Sequence, residues 1–199
     1  MNEDVLKLIV KLATLMCACD GEIHEDEQSL LSEWMETKSP RNAQLLTTLR
    51  KTHADTISEL SGKGVKLKPL CLQLDQTAET SIKYDAMELC LRIAQTDGTG
   101  ADAEMRFLMS IGKWMDIDYS KFREMRDKIL PISLHKSVDV DALLGLHADM
   151  ANSEKLKHLT KEFARWNQLA THSDSKKRGQ AKEMLEIIAR KRSELSERR

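Results

Sequence analysis

The chain is short of the residues that interrupt helices and of the groupings that carry out reactions. Its 199 residues include three prolines and eight glycines, and only 4% are aromatic. Few breakers leave long stretches free to coil, and the abundant Leu, Met, Ala, Glu and Lys lose little rotamer freedom in a helix. No strand pattern emerges, so the expected fold class is all-α. The four cysteines, Cys17, Cys19, Cys71 and Cys90, form no C-x-x-C pair, which removes the usual signal for zinc or a redox dithiol. Each lies in an apolar helical stretch and reads as a buried reduced thiol. There is no glycine-rich phosphate loop, no H-E-x-x-H and no nucleophile elbow, and His172 with Asp174 has no nucleophile beside it. Catalysis is not expected.

Long apolar runs are also missing. The uncharged run near the start, 12–19, falls far short of the roughly 20 residues that a membrane span needs. The opening MNEDVLKL carries acids where a signal peptide carries bases. The expectation is a cytoplasmic protein without membrane contact. A chain of this length that is 41% apolar can still bury a core of ordinary size.

Charge is plentiful but unevenly spread. Residues 1–150 carry 18 Lys and Arg against 25 Asp and Glu, whereas 151–199 carry 13 against 7. An acidic part and a basic part imply different partners.

Apolar residues recur at helical spacing through the first part. Val5, Leu8, Ile9, Leu12, Met16 and Cys19 define one face of a helix over about 4–19. Further helices are predicted over 25–36 and 43–60, the latter with His53 on its packed side. A turn at 61–64 separates two halves. Leu67, Leu70, Cys71 and Leu74 mark a short helix, Ile82, Ala86, Leu89, Cys90 and Ile93 a longer one, and Phe107 to Ile129 two more.

Within this pattern one unit occurs twice. Asp20-Gly21 is followed by Glu27, and Asp97-Gly98 by Glu104, with the same seven-residue step and 77 residues between copies. Each copy ends one helix and begins the next. Gly after a helix end supplies a left-handed conformation. If His24 and Ala101 are N-caps, Glu27 and Glu104 fall at the third helical position, where a carboxylate reaches back to a free backbone N–H. A second reading is a cation site, because Asp20, Glu22, Glu25, Asp26 and Glu27 crowd five carboxylates into eight residues and hard divalent cations favour such oxygens. It is not an EF-hand, since the first ligand positions would be Met16 and Ala18.

LATLMCACDGEIHEDE and LCLRIAQTDGTGADAE resemble the two signature halves of the tellurite-resistance TerB family over about residues 1–132. The resemblance implies an all-helical bundle with pseudo-two-fold symmetry and a cluster of surface acids proposed to bind metal, here Asp20, Glu27, Asp97 and Glu104; carboxylate density adds Glu22, and a weakly bound divalent cation is the candidate cofactor. The second copy is thinner, with Thr99, Gly100 and Ala101 in place of acids.

The C-terminal segment, 139–199, has a separate pattern. Ser153 is placed to cap a helix carrying Leu156, Leu159, Phe163, Trp166 and Ala170, and a last helix carries Ala181, Met184, Leu185, Ile188 and Leu195. This segment resembles a degenerate J domain of the DnaJ type. Leu144-Gly145-Leu146 matches the opening, Lys157, Lys161 and Arg165 match the basic second helix, and His172-Ser173-Asp174 stands where the family has His-Pro-Asp. The resemblance implies an Hsp70 partner for these residues, with Ser173 in place of the rigid Pro. A TerB-like domain followed by a J domain is also similar to the DjlA co-chaperones, without their membrane anchor.

The run Lys176, Lys177 and Arg178 falls where the last helix should begin, against the positive end of its dipole. It reads either as a solvated helix face or as a surface for an acidic protein, the latter ahead of nucleic acid because no aromatic residue interleaves it and the larger domain would repel phosphate. The expected function is a non-enzymatic stress- or defence-associated adaptor. The alternative is a J-domain-type co-chaperone that recruits an Hsp70.

Overall fold

In the computed structural model, residues 2–60, 65–96, 102–130, 140–147 and 149–197 are described, and all regular structure among them is helical. The chain divides into two compact units, Met1–Leu130 and Pro131–Arg199. The first holds α1 (Glu3–Cys17), α2 (Glu25–Lys38), α3 (Ala43–Leu60), α4 (Leu67–Thr77), α5 (Thr80–Thr96), α6 (Asp102–Trp114) and α7 (Tyr119–Ile129). The second holds α8 (Val140–Leu143), α9 (Asn152–Leu169) and α10 (Ser175–Glu197). The turn expected at 61–64 lies outside the described residues.

The first helix differs from its expected one-sided pattern. Leu6, Val10, Ala13, Thr14 and Leu15 are buried along with Val5, Ile9, Leu12 and Met16. A helix apolar all round belongs inside, and α1 packs against α2, α3, α4 and α5. It ends at Cys17, two residues earlier than expected, because the amides of Cys19 and Gly21 turn back to the carbonyls of Met16 and Ala18 at 3.2 Å each. Each fully buried Leu or Ile on α1 contributes about 1.5–3 kcal/mol.

The duplicated counterpart, α5, repeats the arrangement. Ala86, Met87, Leu89, Cys90, Leu91, Ile93 and Ala94 are buried. The two copies therefore share more than a motif, since each puts a core helix before the acidic corner and a half-buried one after it.

Two polar fastenings cross this core without a sequence signal. Thr14 Oγ1 donates to Val10 O at 2.7 Å and lies 2.8 Å from His53 Nδ1, joining α1 to α3. Lys83 Nζ donates to Asp75 Oδ1 at 2.6 Å and to Met115 O at 3.2 Å, which ties α5 to α4 and to the end of α6. Both satisfy groups that burial would otherwise penalise.

In the second unit α9 and α10 are joined by five residues, 170–174, so they pair as antiparallel neighbours. Their shared core is Leu159, Trp166, Ala181, Met184, Ile188 and Leu195, closed by Leu143, Leu144 and Leu146. The short α8 stops at Gly145, whose φ of 70° permits the amide of Leu146 to reach Asp141 O at 2.7 Å. His158 Nε2, on α9, holds this stop by donating to Leu144 O at 2.8 Å. Ser153 is not the cap of α9. That helix starts two residues earlier, after Ala151, and Glu154 reaches back to the Ala151 amide at 3.0 Å.

Candidate functional site

Two helix junctions carry the residues singled out from sequence, one in each unit. At the acidic corner, Gly21 has φ 103°, a conformation that side-chain-bearing residues resist. Asp20 Oδ1 accepts from the Glu22 amide at 3.1 Å, and Asp20 Oδ2 lies 3.8 Å from His24 Nε2. His24 is the N-cap of α2, and Glu27 Oε2 accepts from its amide at 3.0 Å. Glu27 is thus the reaching-back half of a capping box. Glu25, Asp26 and Glu27 all stand in the first turn of α2, where negative charge is favoured by about 0.3–1 kcal/mol.

The acids of the two copies fall into two groups. Asp20 and Glu22 are exposed, whereas Glu27 and Glu104 are each only 3% exposed. Glu104 is the third residue of α6, the position that Glu27 occupies in α2. Asp97 and Gly98 lie outside the described residues. Among the described residues no group of three or more His, Cys, Asp and Glu side chains is arranged to hold a metal ion.

The two buried carboxylates act inward. Burial pushes the Cys17 thiol up to about 12, and the charges of Glu27 and then Glu104 add to the effect. Cys19 is pushed up by burial and then by Glu104, Asp20 and Glu27. Burial also raises Cys71, to about 12, and raises Cys90 well above its ordinary value. All four are free thiols, and Cys17, Cys71 and Cys90 are buried while Cys19 is half-buried. At neutral pH they stay protonated and unreactive.

An open groove of about 610 Å³ borders Leu30, Arg92, Gln95 and Lys128. Arg92 is bound to Glu88 on its own helix at 2.7 Å, and Lys128 stands in the last turn of α7, where a cation complements the dipole.

At the second junction the cations of unit 2 fall into two kinds. Arg165 contacts Glu162 at 3.4 Å, and its guanidinium lies 4.7 Å from the Trp166 ring. Arg192 lies 5.7 Å from the Phe163 ring. Lys191 pairs with Asp141 and, at 3.4 Å, with Glu194. Burial pulls its ammonium down, but the hydrogen bond and charge of Asp141 outweigh this and the net shift is upward. Lys157, Lys161 and Lys177 are exposed instead.

The run 176–178 does begin α10, as expected, and so opposes the helix dipole. Arg178, however, has local partners that the sequence did not suggest. Its Nη1 donates to His172 O at 2.8 Å and to Ser173 O at 2.7 Å. Charge-assisted bonds of this kind are worth about 1.5–3 kcal/mol where sheltered and less on a surface, enough to offset the dipole. The Asp174 amide donates to His172 Nδ1 at 3.1 Å. His172 and Asp174 thus share one ordered turn, with Arg178 folded over its carbonyls. Nothing in the sequence pattern marks an Arg six residues downstream as a partner of a backbone carbonyl.

An all-helical unit built from a duplicated pair of helices about an acidic corner defines the class of the first unit. The family model described as "Tellurite resistance protein TerB" matches residues 6–127, more than half of the chain. The chain belongs to the TerB family. No curated protein and no solved structure matches it. The family match ends before the second unit, so the J-like resemblance of 139–199 rests on that segment's own residues.

No helix among the described residues is long and apolar enough to cross a membrane.

Proposed function

We propose that this TerB-family chain is a non-enzymatic cytoplasmic adaptor of the stress or defence type, whose basic second unit docks an acidic protein surface while its acidic unit holds another partner. The observation that supports this reading is the division among the cations of unit 2. Arg165, Arg178, Lys191 and Arg192 are engaged inside the unit. Lys157, Lys161 and Lys177 are exposed, and no ion pair holds them among the described residues. Exposed positive charge of this kind steers association with an acidic surface and makes it sensitive to salt. The test is affinity capture from the native host, followed by titration of the identified partner at 50 and 300 mM salt. The reading expects affinity to fall steeply with salt and at least tenfold in the K157A/K161A/K177A variant. Unchanged capture by that variant at low ionic strength reduces these lysines to a solvated face.

A second reading, a J-domain-type co-chaperone, is favoured by one observation: the His172–Asp174 turn is held together by hydrogen bonds although Ser173 replaces proline. The ATPase rate of the host Hsp70 with and without the protein decides it. Stimulation that His172→Gln abolishes supports the co-chaperone, and no stimulation removes it. Divalent-cation binding at the corner is a third proposal, for which Asp20 and Glu22 offer exposed carboxylates. Calorimetric titration with calcium, magnesium and zinc tests it, with the D20N/D97N variant as the arm expected to lose the heat.

A further inference from the structure

We propose that Arg178 is a positioning residue for the 172–174 turn, bridging the carbonyls of His172 and Ser173 so that the turn presents His172 and Asp174 in one backbone conformation. Its functional consequence rests on the co-chaperone reading above; its structural consequence rests on the geometry alone. The turn is exposed at Ser173 and Asp174 and has no apolar anchor of its own. The exposed end of a five-residue link between helices ordinarily samples many conformations. Here the two hydrogens of one guanidinium nitrogen are shared between consecutive carbonyls, which constrains both peptide units at once. The planar fork of Arg suits this task, whereas the ammonium of Lys is a point donor on a flexible stem. The Asp174 amide then closes on His172 Nδ1, which leaves Nε2 as the protonated nitrogen of the neutral ring. A proline ring at 173 would impose the same restriction covalently by fixing φ. Ser173 is not among the residues of positive φ, a condition that proline requires.

Lys177 supplies the control. It carries the same charge in the same helical turn and is exposed, without the carbonyl bonds. The experiment uses the full chain and its variants R178A, K177A and R178A/S173P, with amide hydrogen exchange at residues 172–175 and the ATPase rate of the host Hsp70 as readouts. R178A is expected to speed exchange of the Asp174 amide at least tenfold and to cut ATPase stimulation by a similar factor. K177A should leave the exchange unchanged, and adding S173P to R178A should restore both readouts. The proposal is overturned if exchange is unchanged in R178A, or if K177A produces the same change, since charge alone then explains it. If exchange responds and is rescued while the parent protein never stimulates the Hsp70, the positioning role stands and the co-chaperone reading fails.

Discussion

The two helix junctions of this chain solve one problem with charges of opposite sign. At the corner before α2, carboxylates meet the helix N-terminus, where the dipole favours them, and Glu27 is buried while reaching back to the His24 amide. At the turn before α10, cations meet the same kind of helix end, where the dipole opposes them. Arg178 is tolerated there because it leaves the helix axis and binds carbonyls that precede it. A charge that agrees with its helix can be a structural cap with no other role. A charge that disagrees needs a second interaction to remain.

The comparison can first be broken at the level of the cores on which the junctions stand. Leu12, at the centre of α1, is fully buried, and Trp166 is 2% exposed in the core of unit 2. Leu12→Ala should cost about 2–5 kcal/mol and Trp166→Ala about 3–5 kcal/mol. Chemical denaturation followed by amide exchange in each unit checks this: Leu12→Ala should lower protection in the first unit and Trp166→Ala in the second. A loss below about 1 kcal/mol for either would show that its helix is not the centre of its unit.

The corner itself should yield smaller effects. Gly21→Ala places a side chain at φ 103°, in open space but in strained backbone, at a cost of about 1–3 kcal/mol. Glu27→Ala removes the cap and should cost about 0.5–2 kcal/mol. These losses should appear without any added cation. If denaturation shows Glu27→Ala to be neutral in metal-free buffer yet destabilised relative to the parent when calcium or zinc is present, the capping account of Glu27 is wrong and the cation account gains.

Much of this was legible in the sequence, and the gaps have physical causes. The all-helical fold was readable because few breakers leave the 3.6-residue period intact, and the corner because Gly21 and Glu27 are local determinants that act within one turn of chain. What α1 packs against was not readable. Its small and apolar residues on every side could equally suit a one-sided helix, and only the tertiary arrangement of α2, α3, α4 and α5 around it decides. The start of α9 was missed because Ser153 is a better cap by type than Ala151, yet Glu154 satisfies the Ala151 amide and moves the start forward. Of the candidate site, the sequence placed the charged residues on their elements but could not separate buried from exposed ones. Glu27 and Asp20 belong to one acidic string and end on opposite sides of the surface. Arg165 and Lys161 belong to one basic face, and only the first is drawn onto Trp166. Such choices depend on side-chain partners distant in sequence, which no local pattern records.

The smallest expected effect concerns acid, and it tests whether the acidic unit hides a titrating group outside its carboxylates. His53 is half-buried beside Thr14, and burial lowers its imidazole below the ordinary value. The Thr14 hydroxyl gives its hydrogen to Val10 O, so His53 Nδ1 carries the hydrogen between them, and in the neutral ring Nε2 is bare. In the unfolded chain the ring takes up a proton near pH 6.5, whereas the folded ring resists until lower pH. Between those two values the unfolded state binds more protons, so stability rises with pH. His53 therefore contributes nothing adverse above pH 6.5 and weakens the first unit progressively as pH falls below it. His53→Gln, which can still hydrogen-bond to Thr14, should flatten the stability profile as pH falls below about 6.5 and leave it unchanged at pH 7.5 apart from a constant offset. Urea denaturation of the parent and the variant at half-unit pH steps measures the slope. An identical slope in both proteins would mean that the acid sensitivity of this unit lies in its carboxylates and that His53 is only a packed ring.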